Sequence, residues 1–413
     1  MLKWIVFLVC LQEIISVAST ASRNKLISYA LPENRELKKA LGYNEDTYLN
    51  FQELTTKYGY ISENHTVRTE DDYLLTVFRI LPKCKVRGFP VILVHGIFDS
   101  ADTWIFTGPE NGLAYILSDN CYDVWATNMR GNTYSRRHVK FNPNADAEYW
   151  EYSFDEHGNF DVPAIIDYVL ALTGTAQVYY IGHSQGTTDF FAMGSLRPEY
   201  NNKIRLSVQI APVAWIGNIR SPVPKLISIL TEDIKNFADN VGLRELFAKQ
   251  HISHAISEFL CQIAPNLVCG TGLWFATGNK LGSITEKNLA IGIGHLFAGV
   301  SIKTLAHFGQ LINSGNFQRY DEGVKGNMLK YGYVVPPKYN VSLITSPVVL
   351  ITAENDWLST LEDINILRSK LPNVVDEYIV PVPTWSHNNH LWGVNATVYV
   401  FNRILEYFER YNI

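Results

Sequence analysis

The chain has 413 residues, 47% hydrophobic and 18% charged, and 35 Lys and Arg stand against 40 Asp and Glu for a formal charge of −5. This excludes a disordered arm, and with no block of like charges it also excludes a chain built to neutralise nucleic-acid phosphates. The length suits roughly two or three domains, or one large α/β domain carrying an insertion.

At the N-terminus Lys3 precedes the apolar run Trp4 to Leu11, and the small residues Val17, Ala18, Ser19 and Ala21 follow. A positive start, a short apolar run and a small-residue end predict a secretory signal over residues 1–19, cut after Ser19 or Ala21. Gln12 and Glu13 interrupt the run, which falls short of the roughly 20 apolar residues a membrane-spanning helix needs, and no later stretch reads as one. Three N-glycosylation triplets, at Asn64, Asn340 and Asn395, agree with secretion. Cys10 leaves with the signal, so four cysteines remain for an oxidising compartment. Cys261 and Cys269 flank Pro265 and Asn266 at a spacing that a short looped segment closes into a disulfide, while Cys84 and Cys121 either pair or stay free. Neither a Cys-x-x-Cys nor a His-Glu-x-x-His pattern is present, so no metal site and no redox dithiol is expected.

Residues 64–81 read as a hairpin, with His65 to Thr69 and Tyr73 to Ile80 joined through Glu70, Asp71 and Asp72. Val91 to Val94 is a continuous apolar run ending at His95 and Gly96, the pattern of a strand buried on both faces. Tyr122 to Thr127, Gln177 to Ile181, Ile204 to Ile210, Val348 to Thr352 and Val374 to Val380 repeat it. Helical stripes lie between them, as over Asp161 to Leu172, where Val162, Ile165, Ile166, Val169, Leu170 and Leu172 make an apolar stripe. This alternation predicts an α/β fold with a doubly wound, mostly parallel sheet. It stops near Pro212 and resumes near Pro347, dividing the chain after the signal into a first core part (20–211), an inserted cap (212–346) and a second core part (347–413). Within the insertion Leu243 to Phe247, Ile252 to Leu260 and Thr285 to Ala306 have helical spacing. A terminal helix is expected between Thr397 and Tyr411, with Val400, Ile404, Leu405 and Phe408 on one face.

Gly182-His183-Ser184-Gln185-Gly186 follows one of these strands and precedes a helical stretch from Gly186 to Met193, the context of a nucleophile elbow. The turn strains the serine backbone, and a side chain at either flanking glycine would collide with the neighbouring strand or helix, so Ser184 is the expected nucleophile. A serine hydroxyl needs a base, itself oriented by an acid. Asp356, just past the strand Val348 to Thr352, is the expected acid; the alternatives are that it caps the next helix and that Glu354 or Asp363 serves instead. The base should follow the last strand, where His387 and His390 compete and spacing does not separate them. Two backbone N–H groups must hold the oxyanion. Gln185 supplies one, and Ile97, in the loop after Val91 to Val94, is the candidate for the other.

Together with Thr69-Glu70-Asp71-Asp72-Tyr73, Tyr122-Asp123-Val124-Trp125, Arg130-Gly131-Asn132-Thr133-Tyr134-Ser135-Arg136, Ser153-Phe154-Asp155-Glu156 and Pro336-Pro337-x-Tyr339-Asn340, these motifs resemble the acid lipases of the α/β-hydrolase superfamily. The resemblance runs from about Tyr58 to the C-terminus. It implies an α/β-hydrolase fold with an inserted helical cap and lid, and the roles of nucleophile for Ser184, acid for Asp356 and base for His387. It breaks the histidine tie because the family run Asn-His-Leu-Asp-Phe falls on Ser386 to His390, where Asn389 replaces Asp and His390 replaces Phe. Asp321-Glu322-Gly323 also departs from the family's Asp-Tyr-Gly. The family's short disulfide matches Cys261 and Cys269. No cofactor is implied. The expected partner is a neutral lipid, a triacylglycerol or sterol ester, at a lipid-water interface, in an extracellular or lysosomal space. The rival functions are an esterase for small soluble esters and a catalytically silent lipid-binding protein.

Overall fold

A computed structural model describes residues 35–247 and 252–412. The expected signal segment over 1–19 lies outside the described residues. Eight strands form one sheet in the order β1-β2-β4-β3-β5-β6-β9-β10. They are β1 (Ser62–Arg68), β2 (Leu74–Ile80), β3 (Val91–Val94), β4 (Val124–Ala126), β5 (Val178–His183), β6 (Ile204–Ile210), β9 (Val348–Thr352) and β10 (Val374–Ile379). The hairpin pairs β1 with β2 antiparallel, β2 meets β4 antiparallel, and every later pairing is parallel.

Strands β3 and β4 are apolar throughout and β9 nearly so, because both of their faces are covered, while β6 also buries Ser207 and Gln209. Val91, Leu93, Tyr179, Ile181, Val208 and Ile210 point into one core layer. Ile92, Val94, Val178 and Tyr180 point into the other. Helix α2 (Val162–Thr173) covers the second layer with Ile165, Ile166 and Val169 and ends at Gly174, whose φ of 67° is the left-handed stop that glycine takes most readily. Helix α3 (Gln185–Leu196) packs on the same side. Helix α11 (Asn402–Tyr411) covers the first layer with Ile404 and Phe408, although the turn before it, Thr397–Phe401, is a π-turn rather than regular helix.

Between β6 and β9 the chain adds no strand to this sheet among the described residues. It builds α4 (Pro222–Ile229), α5 (Thr231–Val241), α6 (Ile252–Ile263), α7 (Thr271–Thr277), α8 (Glu286–His295) and α9 (Ile302–Ser314) instead. Helix α10 (Leu361–Lys370) then follows β9. Two expectations fail here. Residues Leu243 to Phe247 are not helical: Gly242, at φ 71°, ends α5, and Glu245–Leu246 forms β7, pairing antiparallel with β8 (Val300–Ser301). Tertiary pairing overrides the local apolar spacing there, with Glu245 also ion-paired to Arg136. Thr285 to Ala306 is not one helix either, because the chain leaves α8 at Leu296 and passes through β8 before α9.

The insertion is tied to the sheet by buried polar contacts. The two ring nitrogens of His295 on α8 face Asp102 Oδ2 at 2.9 Å and the Asp46 carbonyl at 2.7 Å. Cys261 is bonded to Cys269 and Cys84 to Cys121, with Cα separations of 5.7 and 5.1 Å. Among the described residues no single helix is long and apolar enough to cross a membrane; His254–Ile263 and Asn266–Thr277 reach that length only together, bent by 116°.

Candidate active site

Ser184 sits between the end of β5 and the start of α3, with φ 53° and ψ −119°. A non-glycine residue with positive φ is strained, and the surrounding packing enforces the strain. A Cβ on Gly182 would fall 2.7 Å from the Gly186 carbonyl oxygen, and one on Gly186 would run into the Val94 carbonyl. The two glycines therefore let strand, turn and helix approach closely enough to lift the serine out of the sheet edge.

Two strand-end loops bring partners to that hydroxyl. Ser184 Oγ lies 2.8 Å from His387 Nε2, and His387 Nδ1 lies 2.9 Å from Asp356 Oδ2. Asp356 serves two contacts at once: its Oδ1 accepts from the N–H groups of Leu358 (2.9 Å) and Ser359 (2.8 Å), while Oδ2 meets the imidazole. Burial pushes this carboxyl up, but the adjacent His387, through its charge and hydrogen bond, and the Ser359 N–H outweigh that and hold it below the usual range. Asp356 does not cap the next helix, which begins at Leu361 with Thr360 as its N-cap; the two N–H groups it accepts from lie in the turn before that helix. Glu354 is exposed, and Asp363 is engaged by the backbone and side-chain N–H groups of Asn218 at 3.0 and 2.8 Å, so neither approaches His387. All three members of the relay are buried.

The loop after β3 faces the serine closely enough that a Cβ on Gly96 would lie 3.2 Å from Ser184 Cβ. His95 Nδ1 donates to the Gly96 carbonyl at 2.7 Å, and its Nε2 accepts from the Met129 N–H (3.2 Å) and Asn132 Nδ2 (3.1 Å). A backbone N–H can only donate, so the proton sits on Nδ1. Pinning the Gly96 carbonyl orients the peptide that carries the Ile97 N–H in the opposite direction. That N–H takes no protein acceptor among the described residues, and the N–H of Gln185, at the first position of α3, belongs to the set that a helix leaves unpaired.

His390 is brought close but not into the relay. Its ring turns toward Trp385, whose Nε1–H donates to its Nδ1 at 3.4 Å, and burial pushes its pKa down to about 3. Three more buried groups lie near the serine: His183, inside the elbow motif but given no role by it, and His157 and Asp189, which carry no motif and escape a reading by sequence. His183 faces the His387 carbonyl at 3.3 Å, and His157 and Asp189 lie under Gln185. Among the described residues no cluster of three or more His, Cys, Asp or Glu is arranged to hold a metal ion.

A parallel sheet of this strand order, with a serine on a strained strand-helix turn and an imidazole-carboxylate pair behind it, defines an α/β-hydrolase. The comparison with known proteins is narrower. The family model described as "alpha/beta hydrolase fold" matches residues 90–394, and one described as "partial alpha/beta-hydrolase lipase region" matches residues 51–108. Lipase 3 of Drosophila melanogaster is 37% identical, over 86% of this chain and 91% of that one. Lipase 1 of the same organism is 35% identical over 91% and 82%, and human gastric triacylglycerol lipase is 35% identical over 86% and 90%. The chain belongs to the lipase group of the α/β-hydrolase family and is a carboxylic ester hydrolase.

Proposed function

We propose that this protein is a secreted lipase that hydrolyses long-chain neutral-lipid esters through an acyl-enzyme on Ser184. The observation that carries the reading is the continuous relay from Ser184 Oγ through His387 to Asp356 at 2.8 and 2.9 Å. His387 Nε2 takes the serine proton as Oγ attacks the ester carbonyl, and Asp356 holds the ring and balances the imidazolium charge. The N–H groups of Ile97 and Gln185 receive the oxyanion. The protonated His387 then delivers its proton to the leaving alcohol, water enters, and a second cycle releases the fatty acid. The name of the gastric triacylglycerol lipase relative supports triacylglycerol as the substrate class.

Residues 212–346 act as the cap in this reading, and α6 with α7 as its movable flap. The buried serine has to be uncovered before a long acyl chain can reach it, and this helix pair with the π-turn between its members turns large apolar side chains outward, with Ile263 of α6 65% and Leu267 of the turn 75% exposed. Such a surface is stable against lipid and costly in water, so a lipid surface favours the open form. The three sequon asparagines, Asn64, Asn340 and Asn395, are all exposed, which supports glycosylation and passage through the secretory route, with the lysosome as the alternative destination.

The test is fatty-acid release from a long-chain triacylglycerol emulsion beside a short soluble ester, for wild type and Ser184→Ala. Release that exceeds short-ester turnover and vanishes in the variant is expected. Cleavage of the short ester alone replaces the lipase reading by an esterase, and no cleavage by folded protein leaves a lipid-binding role.

A further inference from the structure

Beneath the proposed oxyanion site lies a buried polar cluster that the relay does not use. Gln185 Nε2 stands 3.2 Å from His157 Nδ1, and the same nitrogen stands 3.4 Å from Asp189 Oδ1. His157 and Asp189 are almost wholly buried. Neither Asp189 oxygen has a hydrogen-bond partner of good geometry, and His157 Nε2 and Gln185 Oε1 have none either. Buried polar atoms are normally satisfied, so orphaned groups on three residues beside a reactive serine call for a reason. Asp189 lies one helical turn after Gln185, on the same face of α3. His157 opens the π-turn His157–Asp161, and Gly158 within it packs so tightly on α3 that a Cβ would stand 2.6 Å from Ala192 Cβ. The cluster therefore has little room to relax.

We propose that His157 and Asp189 are a positioning pair for Gln185, and that protonation of Asp189 sets how well the oxyanion site holds charge. The inference rests on the reading of Gln185 as an oxyanion donor. One nitrogen has two neighbours. With Asp189 protonated, no carboxylate charge holds a proton on Nδ1, and its lone pair accepts from the Gln185 amide N–H at 3.2 Å in preference to the longer 3.4 Å contact with Asp189, which fixes the side chain and with it the first residue of α3. With Asp189 ionised, Nδ1 keeps a proton facing the carboxylate and rejects the amide, and a negative charge lies one turn below the place where the oxyanion develops. Both effects weaken transition-state binding, since fixed charge counts for more in a dry site than in water.

The charged neighbours leave this ionisation close to neutral pH. Burial raises the Asp189 pKa to about 6, His157 opposes that rise, and Asp161 adds to it. Asp161 is itself paired with Arg130, at 2.6 Å. From the other elements His95 faces His157 and Tyr180 of β5 faces Asp189. The Asp189 proton should then be lost within the range in which a lipase of this kind can be assayed.

The experiment compares kcat and KM on a short soluble ester between pH 5 and pH 8 for wild type, Asp189→Asn and His157→Gln, with Ser184→Ala as the control. The kcat ratio of Asp189→Asn to wild type is expected to rise about tenfold across this range with its midpoint near pH 6, while KM stays within about twofold. His157→Gln removes the group that lowers the Asp189 pKa, so its kcat should break at a higher pH than wild type. The unfolding midpoint of Asp189→Asn should exceed that of wild type at pH 8 and match it near pH 4, whatever the activity. A ratio flat with pH, an effect confined to KM, or an unmoved break in His157→Gln overturns the inference. If Ser184→Ala still cleaves the ester, the reading of the site itself fails; if it is inert and the ratio is flat, only the role of the pair fails.

Discussion

Gly186 shows how one atom decides the geometry of this site. Its missing Cβ is the space occupied by the Val94 carbonyl, so Gly186→Ala must push the start of α3 away from β3. Overpacking of this kind costs about 1–3 kcal/mol, and here it should also move Ser184 out of line with His387. Thermal unfolding and kcat, measured together, are expected to fall together. Ser184→Ala is the contrasting case: the hydroxyl supports no packing, so kcat should drop by roughly 10⁴-fold or more while the unfolding midpoint stays put. At this scale the serine was legible because the elbow needs its glycines, and the acid because it follows an apolar strand. The histidine was not legible from spacing. His387 and His390 occupy one short turn; the family resemblance picks His387, and in the fold the packing of Trp385 against one ring and Ser184 against the other separates them. His157 and Asp189 gave no signal because their meaning lies in a contact across two elements.

At the scale of elements, β3 and β9 were legible because parallel strands covered on both sides are near-continuous apolar runs, whereas β10, at the sheet edge, carries Asp376 and Glu377 and is not buried on both faces. The insertion was harder to read, since its helices share apolar residues between burial and exposure and its short strands form only by pairing with distant chain. Helix α6 illustrates the contest. Its outer face carries Ile256, Phe259 and Ile263, all exposed, while Glu258 is buried and meets Lys38 of α1 (Arg35–Ala40) at 2.8 Å. A helix with an exposed apolar face held by a buried ion pair is sensitive to either partner. Removing the cation takes the counter-charge at 2.8 Å from a buried carboxylate, and breaking a buried pair in this way costs about 3–5 kcal/mol where it has been measured. Lys38→Met should therefore accelerate amide hydrogen exchange across Ile252–Ile263 while exchange in β5 and β6 stays unchanged. Equal rates in α6 for variant and wild type would show that the ion pair does not hold the helix down.

For the molecule as a whole, buried histidines set a pH dependence that bears on where the protein works. Burial lowers the pKa of His95 to about 4, of His307 to about 4 and of His390 to about 3, and that of His183 well below its ordinary value. A histidine whose folded pKa is depressed stays neutral in the fold but takes up a proton when the chain unfolds, once the pH is below about 6.5. These four groups therefore cost nothing above pH 6.5 and oppose folding progressively as the pH falls toward 4. Asp189 works the other way over part of that window. Its raised pKa means the folded state binds a proton between about pH 6 and the ordinary carboxylate range, so acid favours the fold there. Four protons favouring the unfolded chain against one favouring the fold leave about three, or a slope of roughly 4 kcal/mol per pH unit near pH 5. Asp71, Asp155 and Asp356, all held below the usual carboxylate range, add their loss only below about pH 4. The unfolding midpoint should consequently be high at pH 7 and fall steeply between pH 6 and pH 4, with His390→Phe reducing the slope by about one proton. Such a fold is more stable near neutral pH than in acid. A midpoint that holds level down to pH 4 would instead mean that these histidines take up protons within the native structure, and the lysosomal alternative would gain accordingly.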